Sequence, residues 1–368
     1  MSLNDVLCQD KVVDVFQHAM KHDRLGHAYI FAGEDGVGRY LMAKEWAKAL
    51  LCEGRDSLQS DFVDSCKCCR SCQLFDSDSH PDFKHIYKEL SEFLSDSAKR
   101  KKNPSEFSIH VIREFLVDIV ASKPQMAKKC VYVISEAEKM NAAAQNAMLK
   151  TLEEPPAYCL IILLCTRTDK LLPTILSRSQ VLRFGPVDEA IIINKLSEEG
   201  IDGVQAKFWA RFTSGSLGQS IMYSKMASLC DCYSIKCQLV EKLANARLAD
   251  SLDIAEWMVA KNGEISEAFS DQMENVSKSD LKRRAQKIML KMLLVMVTDM
   301  IRLSVDGSED IVNSGQTAQI QQLCTQVDVN TAAKFVEKIN SSMRWVDAYV
   351  NEKLIFEEIL LHFTKLKN

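Results

Sequence analysis

The eight residues GEDGVGRY, Gly33 to Tyr40, constrain the fold of this chain more than any others. They follow the apolar run HAYIFA and precede LMAKEWAKALLC, whose period and Ala, Leu and Lys content are those of a helix. A strand, a glycine-rich turn and a helix in that order turn backbone N–H groups toward phosphates at a helix N-terminus. The phosphate-loop pattern G-x-x-x-x-G-K-[ST] ends in a lysine and a small hydroxyl. Here Gly33 and Gly38 keep the glycines, with Gly36 between them, but the last two places hold Arg39 and Tyr40. In a working loop the lysine neutralises the β- and γ-phosphates and the hydroxyl holds Mg²⁺. Arg39 keeps the charge only as a broad planar fork. The Tyr40 hydroxyl lies too far from the backbone to reach the metal. An acidic pair closing the third strand would complete the site, yet CVYVIS runs into Ser135-Glu136, with Ser135 in the Asp place. Three departures in one function predict a loop that binds no nucleotide productively and does not hydrolyse ATP.

Around the loop, strands alternate with helices. HAYIFA, FKHIY (Phe83 to Tyr87), CVYVIS (Cys130 to Ser135) and LIILLCT (Leu160 to Thr166) read as strands. IHVIREFLVDIVA (Ile109 to Ala121) reads as a helix that stops before Lys123-Pro124. NAAAQNAMLKTLEE reads as another, capped by Asn141. This alternation predicts a parallel sheet covered on both faces. Strand signals fade after Pro186. VDEAIIINKLSEEG is a helix ending at Gly200, and from about residue 229 nearly everything is helix-patterned, with Gly263 and Gly307 in turns. The fold class is therefore α/β followed by all-α, with a core over 1–186, a small helical segment over 187–228 and a helical domain over 229–368. With 47% apolar residues the chain can fill such cores. The run IMLKMLLVMVTDMIRL from Ile288 is broken by Lys291, Asp299 and Arg302. A membrane span needs roughly 20 unbroken apolar residues, so this run predicts a buried helix and no membrane contact. MSLNDVLCQDK has no basic, apolar signal pattern, and the expected location is cytoplasmic. The basic stretch KRKKN, Lys99 to Asn103, reads as a solvated loop.

The chain has 13 cysteines, many inside apolar runs, which suits a reducing compartment. In CKCCRSC, the residues Cys66, Cys69 and Cys72 form C-x₂-C-x₂-C, and Cys52 at the end of the preceding helix offers a fourth thiolate. Four sulfurs suit a closed, structural Zn²⁺ site. A 4Fe–4S cluster would use the same ligand type. Cys68 is a fifth thiol beside the set and an alternative ligand. The net charge of -4 and the absence of a basic, aromatic-rich face argue against a free-standing zinc-dependent nucleic-acid binder.

Taken in order, RLGHAYIFAGEDGVG (Arg24 to Gly38), HPDF (His80 to Phe83), IREF (Ile112 to Phe115), KKCVYVISEAEKMNAAAQNAMLKTLEEPP (Lys128 to Pro156) and LLPTILSRSQVLRF (Leu171 to Phe184) resemble the clamp-loader AAA+ subunits of bacterial DNA polymerase III. The likeness spans roughly residues 24 to 186 and is thinner at GSLGQS from Gly215 and VNEKLIFEEILLHF near the end. It implies an AAA+ P-loop-type core with an inserted zinc module at about 52–72, a helical lid and a helical collar that joins five subunits in a ring. The implied partners are tau/gamma and delta subunits, the sliding clamp and primed DNA. Delta-prime subunits of this family have non-functional loops, whereas tau/gamma motors have intact ones, so GEDGVGRY points to the former and away from an active ATPase motor. A motor would also place an arginine after the Gly-Ser of GSLGQS, where this chain has Leu217 and Gly218. LSRSQ resembles the family's Ser-Arg-Cys motif. By that resemblance Arg178 is an arginine finger, acting in trans on ATP held by a neighbouring subunit.

Overall fold

The computed structural model describes residues 2–367 apart from 23, 55–61, 103, 105, 227–228, 273–275 and 308–309. It divides into two compact units, Met1–Asp188 with Ser216–Gly218, and Glu189–Gly215 with Gln219–Asn368.

The first unit is built on five parallel strands, β1 (Ala28–Ala32), β2 (Phe83–Ile86), β3 (Cys130–Ile134), β4 (Cys159–Cys165) and β5 (Gln180–Arg183). Their order across the sheet is β2-β3-β4-β1-β5, with Ala28 opposite Ile161 and Tyr29 opposite Gln180. Successive side chains point to opposite faces of a strand. Both faces of β1, β3 and β4 are buried, so these strands are continuous apolar runs. On one face Tyr29, Phe31, Val131, Val133, Ile162 and Leu164 pack with Phe16 of α1 (Asp10–Lys21) and Trp46 of α2 (Arg39–Leu51). The Phe16 and Trp46 rings stack with centroids 3.9 Å apart. On the other face Ile30, Tyr132, Ile161 and Leu163 pack with Val111, Leu116, Met148 and Leu152.

α3 (Arg70–Asp76) follows the cysteine-rich segment. The segment expected as one helix over 109–121 starts as a single α turn, α4 (Ile109–Ile112). It then widens into a π turn over Arg113–Val117, closed by the Asp118 amide donating to the Arg113 carbonyl at 2.9 Å. α5 (Ala142–Glu153) begins where Asn141 caps it, its side chain accepting from the Ala144 amide at 2.9 Å. The short α6 (Pro173–Leu176) leads into β5.

The second unit is helical throughout its described residues. It holds α7 (Glu189–Glu198), α8 (Gly203–Phe212), most of α9 (Leu217–Lys225), α10 (Cys232–Asn245), α11 (Ser251–Gln272), α12 (Lys278–Asp306), α13 (Thr317–Gln326), α14 (Val329–Asp347) and α15 (Glu352–Leu366). The run from Ile288 lies within α12, with Met289, Leu293, Met296 and Met300 buried. Asp299 is buried too, and its carboxylate accepts from the amides of Val312 and Asn313 at 3.0 and 2.8 Å. That charge anchors the chain after α12. No helix among the described residues is long and apolar enough to cross a membrane. Gly307 ends α12 in the left-handed region, as a C-cap. Gly263, by contrast, is not in a turn. It lies inside α11, because the apolar period on either side carries the helix through it and a glycine costs only about 1 kcal/mol there.

Candidate functional site

The glycine-rich loop between β1 and α2 is held by an ion pair within it and by the segment Ser216–Gly218. Gly38 has φ 101°, a left-handed conformation that favours glycine. A Cβ on Gly33 would stand 2.8 Å from the Phe184 carbonyl oxygen, so the strand end and the loop approach at backbone distance. Arg39 is buried, and its Nη2 pairs with Asp35 Oδ1 of the same loop at 2.5 Å. Ser216 Oγ donates to the Asp35 carbonyl at 2.6 Å, and the Gly218 amide donates to the Gly36 carbonyl at 2.9 Å. A Cβ on Gly218 would lie 2.9 Å from Gly36 Cα. The Ser216–Gly218 segment thus closes onto the backbone of the loop.

Tyr40 and Ser135, two of the residues that depart from the phosphate-loop pattern, both contact His85 of β2. The Tyr40 and His85 rings have centroids 4.7 Å apart, and His85 Nε2 lies 2.8 Å from Ser135 Oγ. Burial, with the Lys44 charge adding to it against Asp78, pushes His85 down to about 4. The imidazole is neutral at physiological pH. Glu136, which follows, sits in the left-handed region at φ 52° and pairs with Lys88 at 2.8 Å and Lys139 at 2.5 Å. Burial acts upward on its carboxyl, but the two ammonium groups outweigh it and bring it to about 2. A carboxylate held this way is a poor proton acceptor.

Arg178 lies between α6 and β5. Its Nη2 pairs with Glu153 Oε1 at the end of α5, 2.8 Å away, and its Nη1 donates to the Thr174 carbonyl at 3.2 Å. About a third of the side chain is exposed. The guanidinium is held at the surface by its own chain, with donors to spare.

The structure gathers Cys52, Cys66, Cys69 and Cys72, with all four sulfurs within 4.8 Å of one another. Four thiolates around a tetrahedral zinc at about 2.3 Å stand about 3.8 Å apart. Cys52 Sγ and Cys69 Sγ are 3.9 Å apart. Backbone amides already point at the sulfurs: Cys66 N at Cys52 Sγ (3.2 Å), Cys69 N at Cys66 Sγ (3.4 Å) and Cys72 N at Cys69 Sγ (3.4 Å). Lys67 takes a left-handed φ of 61° to make this turn. Burial raises Cys52 to about 11. At Cys66 burial also acts upward, but the amides of Cys68 and Cys69 and the neighbouring thiols bring it down to about 6. The donor set and spacing fit a thiophilic ion such as zinc. Cys68 is exposed and stands outside the group.

His85, which contacts both Tyr40 and Ser135, carried no signal in the sequence. HPDF pointed at the region but gave no role to His80. The model of the family described as DNA polymerase III, delta subunit, matches residues 8–188, and that of its C-terminal part matches 271–365. DNA polymerase III subunit delta' of Bacillus subtilis is 24% identical over 96% of this chain and 95% of its own length. The delta' subunit of Pseudomonas aeruginosa is 32% identical over 41% of each chain. The gamma/tau subunit of Mycoplasma pneumoniae is 31% identical over 76% of this chain, which spans only 36% of that longer protein. With matches of one kind at both ends and a delta' relative aligned along nearly its whole length, the chain belongs to the delta-prime subunit family of the bacterial DNA polymerase III clamp loader.

Proposed function

We propose that this chain is a non-hydrolysing subunit of the replicative clamp loader, one that completes a neighbour's ATP site instead of running its own. The observation that supports the reading is that Tyr40 and Ser135 meet across a neutral His85, where on this reading a working loop would hold Mg²⁺. The pairing of Arg39 with Asp35 supports it, since the charge that would meet phosphate is already neutralised. Arg178 is the trans-acting group. Its guanidinium exchanges Glu153 for the γ-phosphate of ATP on a tau/gamma-type neighbour and offsets charge in the transition state. Such fingers contribute on the order of 10³–10⁵ in rate. The four cysteines hold a structural zinc. Residues 1–186 form the AAA+-type core, 187–228 the lid and 229–368 the collar of a five-membered ring with tau/gamma and delta subunits. The assembly opens the sliding clamp in the cytoplasm and places it on primed DNA.

Two measurements test this. The zinc-loaded chain titrated with Mg-ATP shows no saturable binding up to millimolar nucleotide. In a complex reconstituted with motor subunits, Arg178→Ala removes hydrolysis at one site by roughly 10³-fold or more. Micromolar, Mg²⁺-dependent binding by the isolated chain would sink the non-hydrolysing reading. An Arg178→Ala complex as fast as wild type would sink the finger.

A further inference from the structure

Ser71 and His80 lie beside the cysteine cluster without belonging to it, and both are almost fully buried. Ser71 stands between Cys69 and Cys72 on α3. Its Oγ lies 2.6 Å from the carbonyl of Leu51, the residue before Cys52. The carbonyl can only accept, so the Ser71 hydroxyl donates there. His80 Nε2 is 2.9 Å from the same Oγ. The Asp82 amide donates to His80 Nδ1 at 3.1 Å. Nδ1 is therefore the bare nitrogen, and Nε2 carries the hydrogen that Ser71 accepts. Asp82 in turn receives the amides of Gln125, Met126 and Ala127 at 2.6, 2.8 and 2.8 Å, just before β3. One unbroken line of hydrogen bonds thus runs from the strand edge, through His80 and Ser71, to the chain that carries the first cysteine.

We propose that Ser71 and His80 are positioning residues for the metal centre: a clasp that sets the separation of the Cys52 segment from the Cys69–Cys72 segment. This rests on the reading of the four cysteines as a zinc site. The physical reason is preorganisation. Four thiolates repel one another and bring no apolar gain when gathered without a cation. A framework that holds their backbones in place lowers the ordering cost the metal must otherwise meet on binding. The two segments join only through Cys52 to Cys66 along the chain, and the clasp supplies a shorter tie between them. Outer-shell partners of this kind change metal affinity roughly tenfold to a hundredfold when removed.

The test uses the full chain and Zn²⁺, with affinity read by chelator competition and site geometry by Co²⁺ absorption. Ser71→Ala and His80→Ala each bind one Zn²⁺ per chain, weaker than wild type by roughly ten- to a hundredfold. His80→Gln regains most of the loss, because its amide nitrogen donates to Ser71 from the place of Nε2. A merely structural role would lower the unfolding temperature while leaving the affinity and the Co²⁺ spectrum unchanged. Should His80→Ala fail to fold, Ser71→Ala, which removes a single oxygen, decides alone. Wild-type affinity in Ser71→Ala would overturn the clasp. A wild-type chain that takes up no zinc, or a Cys66→Ser variant that binds it as tightly, would overturn the metal centre itself, and the clasp with it.

Discussion

Arg39, Tyr40 and Ser135 stand in the sequence as departures from the phosphate-loop pattern, because each lies at a fixed place relative to a glycine or a strand end. What fills the gap they leave was not legible. His85 comes from a different strand and meets Tyr40 and Ser135 only once β2 lies beside β3. Its burial has a measurable consequence. The folded imidazole takes a proton near pH 4, the unfolded one near the ordinary 6.5. Between these values the unfolded chain binds more protons, so stability is present above 6.5 and is lost as pH falls toward 4. At pH 5 the loss is on the order of 1–2 kcal/mol. His85→Phe keeps a ring against Tyr40 and removes this slope. Urea unfolding of both proteins at pH 7 and pH 5 checks it; an equal loss in the two would refute the assignment.

At the scale of elements, local rules succeeded where one signal dominated. Asn141 caps α5 as its type and place predict. Asn141→Ala should cost about 1 kcal/mol in urea unfolding, with the sheet left intact. Gly263 misled, since glycine is punctuation in most sequences and here is a passenger inside α11. A Cβ there would meet nothing within 4 Å. Gly263→Ala should therefore stabilise the chain by roughly 0.5–1 kcal/mol. A destabilised variant would mean that the helix needs the glycine. β5 carries only one buried side chain, Leu182, because it is an edge strand. With only Val181 and Leu182 apolar among its four residues, it escapes a search for apolar runs.

For the whole molecule, the four-cysteine cluster proposed to hold zinc belongs to the first unit. A bound ion at a thousand times its dissociation constant stabilises by about 4 kcal/mol. Chelation should lower the unfolding temperature of the first unit by roughly 10 °C, taking about 2–4 °C per kcal/mol. The transition of the helical second unit should stay in place. Calorimetry with and without chelator reads both, and a shift shared equally by the two would contradict a metal confined to one unit.

The parallel sheet, the departures of GEDGVGRY from the phosphate-loop pattern and the set of four clustered cysteines follow from short stretches of chain. Strand burial, glycine conformation and thiol spacing are local in sequence, and their physics can be read a few residues at a time. The tertiary structure alone decided which partner each polar group takes. Arg39 turns back to Asp35, His85 bridges Tyr40 and Ser135, Glu153 holds Arg178, and Ser71 meets His80. The last three pairings join different elements of the fold. A buried or half-buried polar group must find a partner, but which one it finds depends on how the sheet and its helices bring distant segments together.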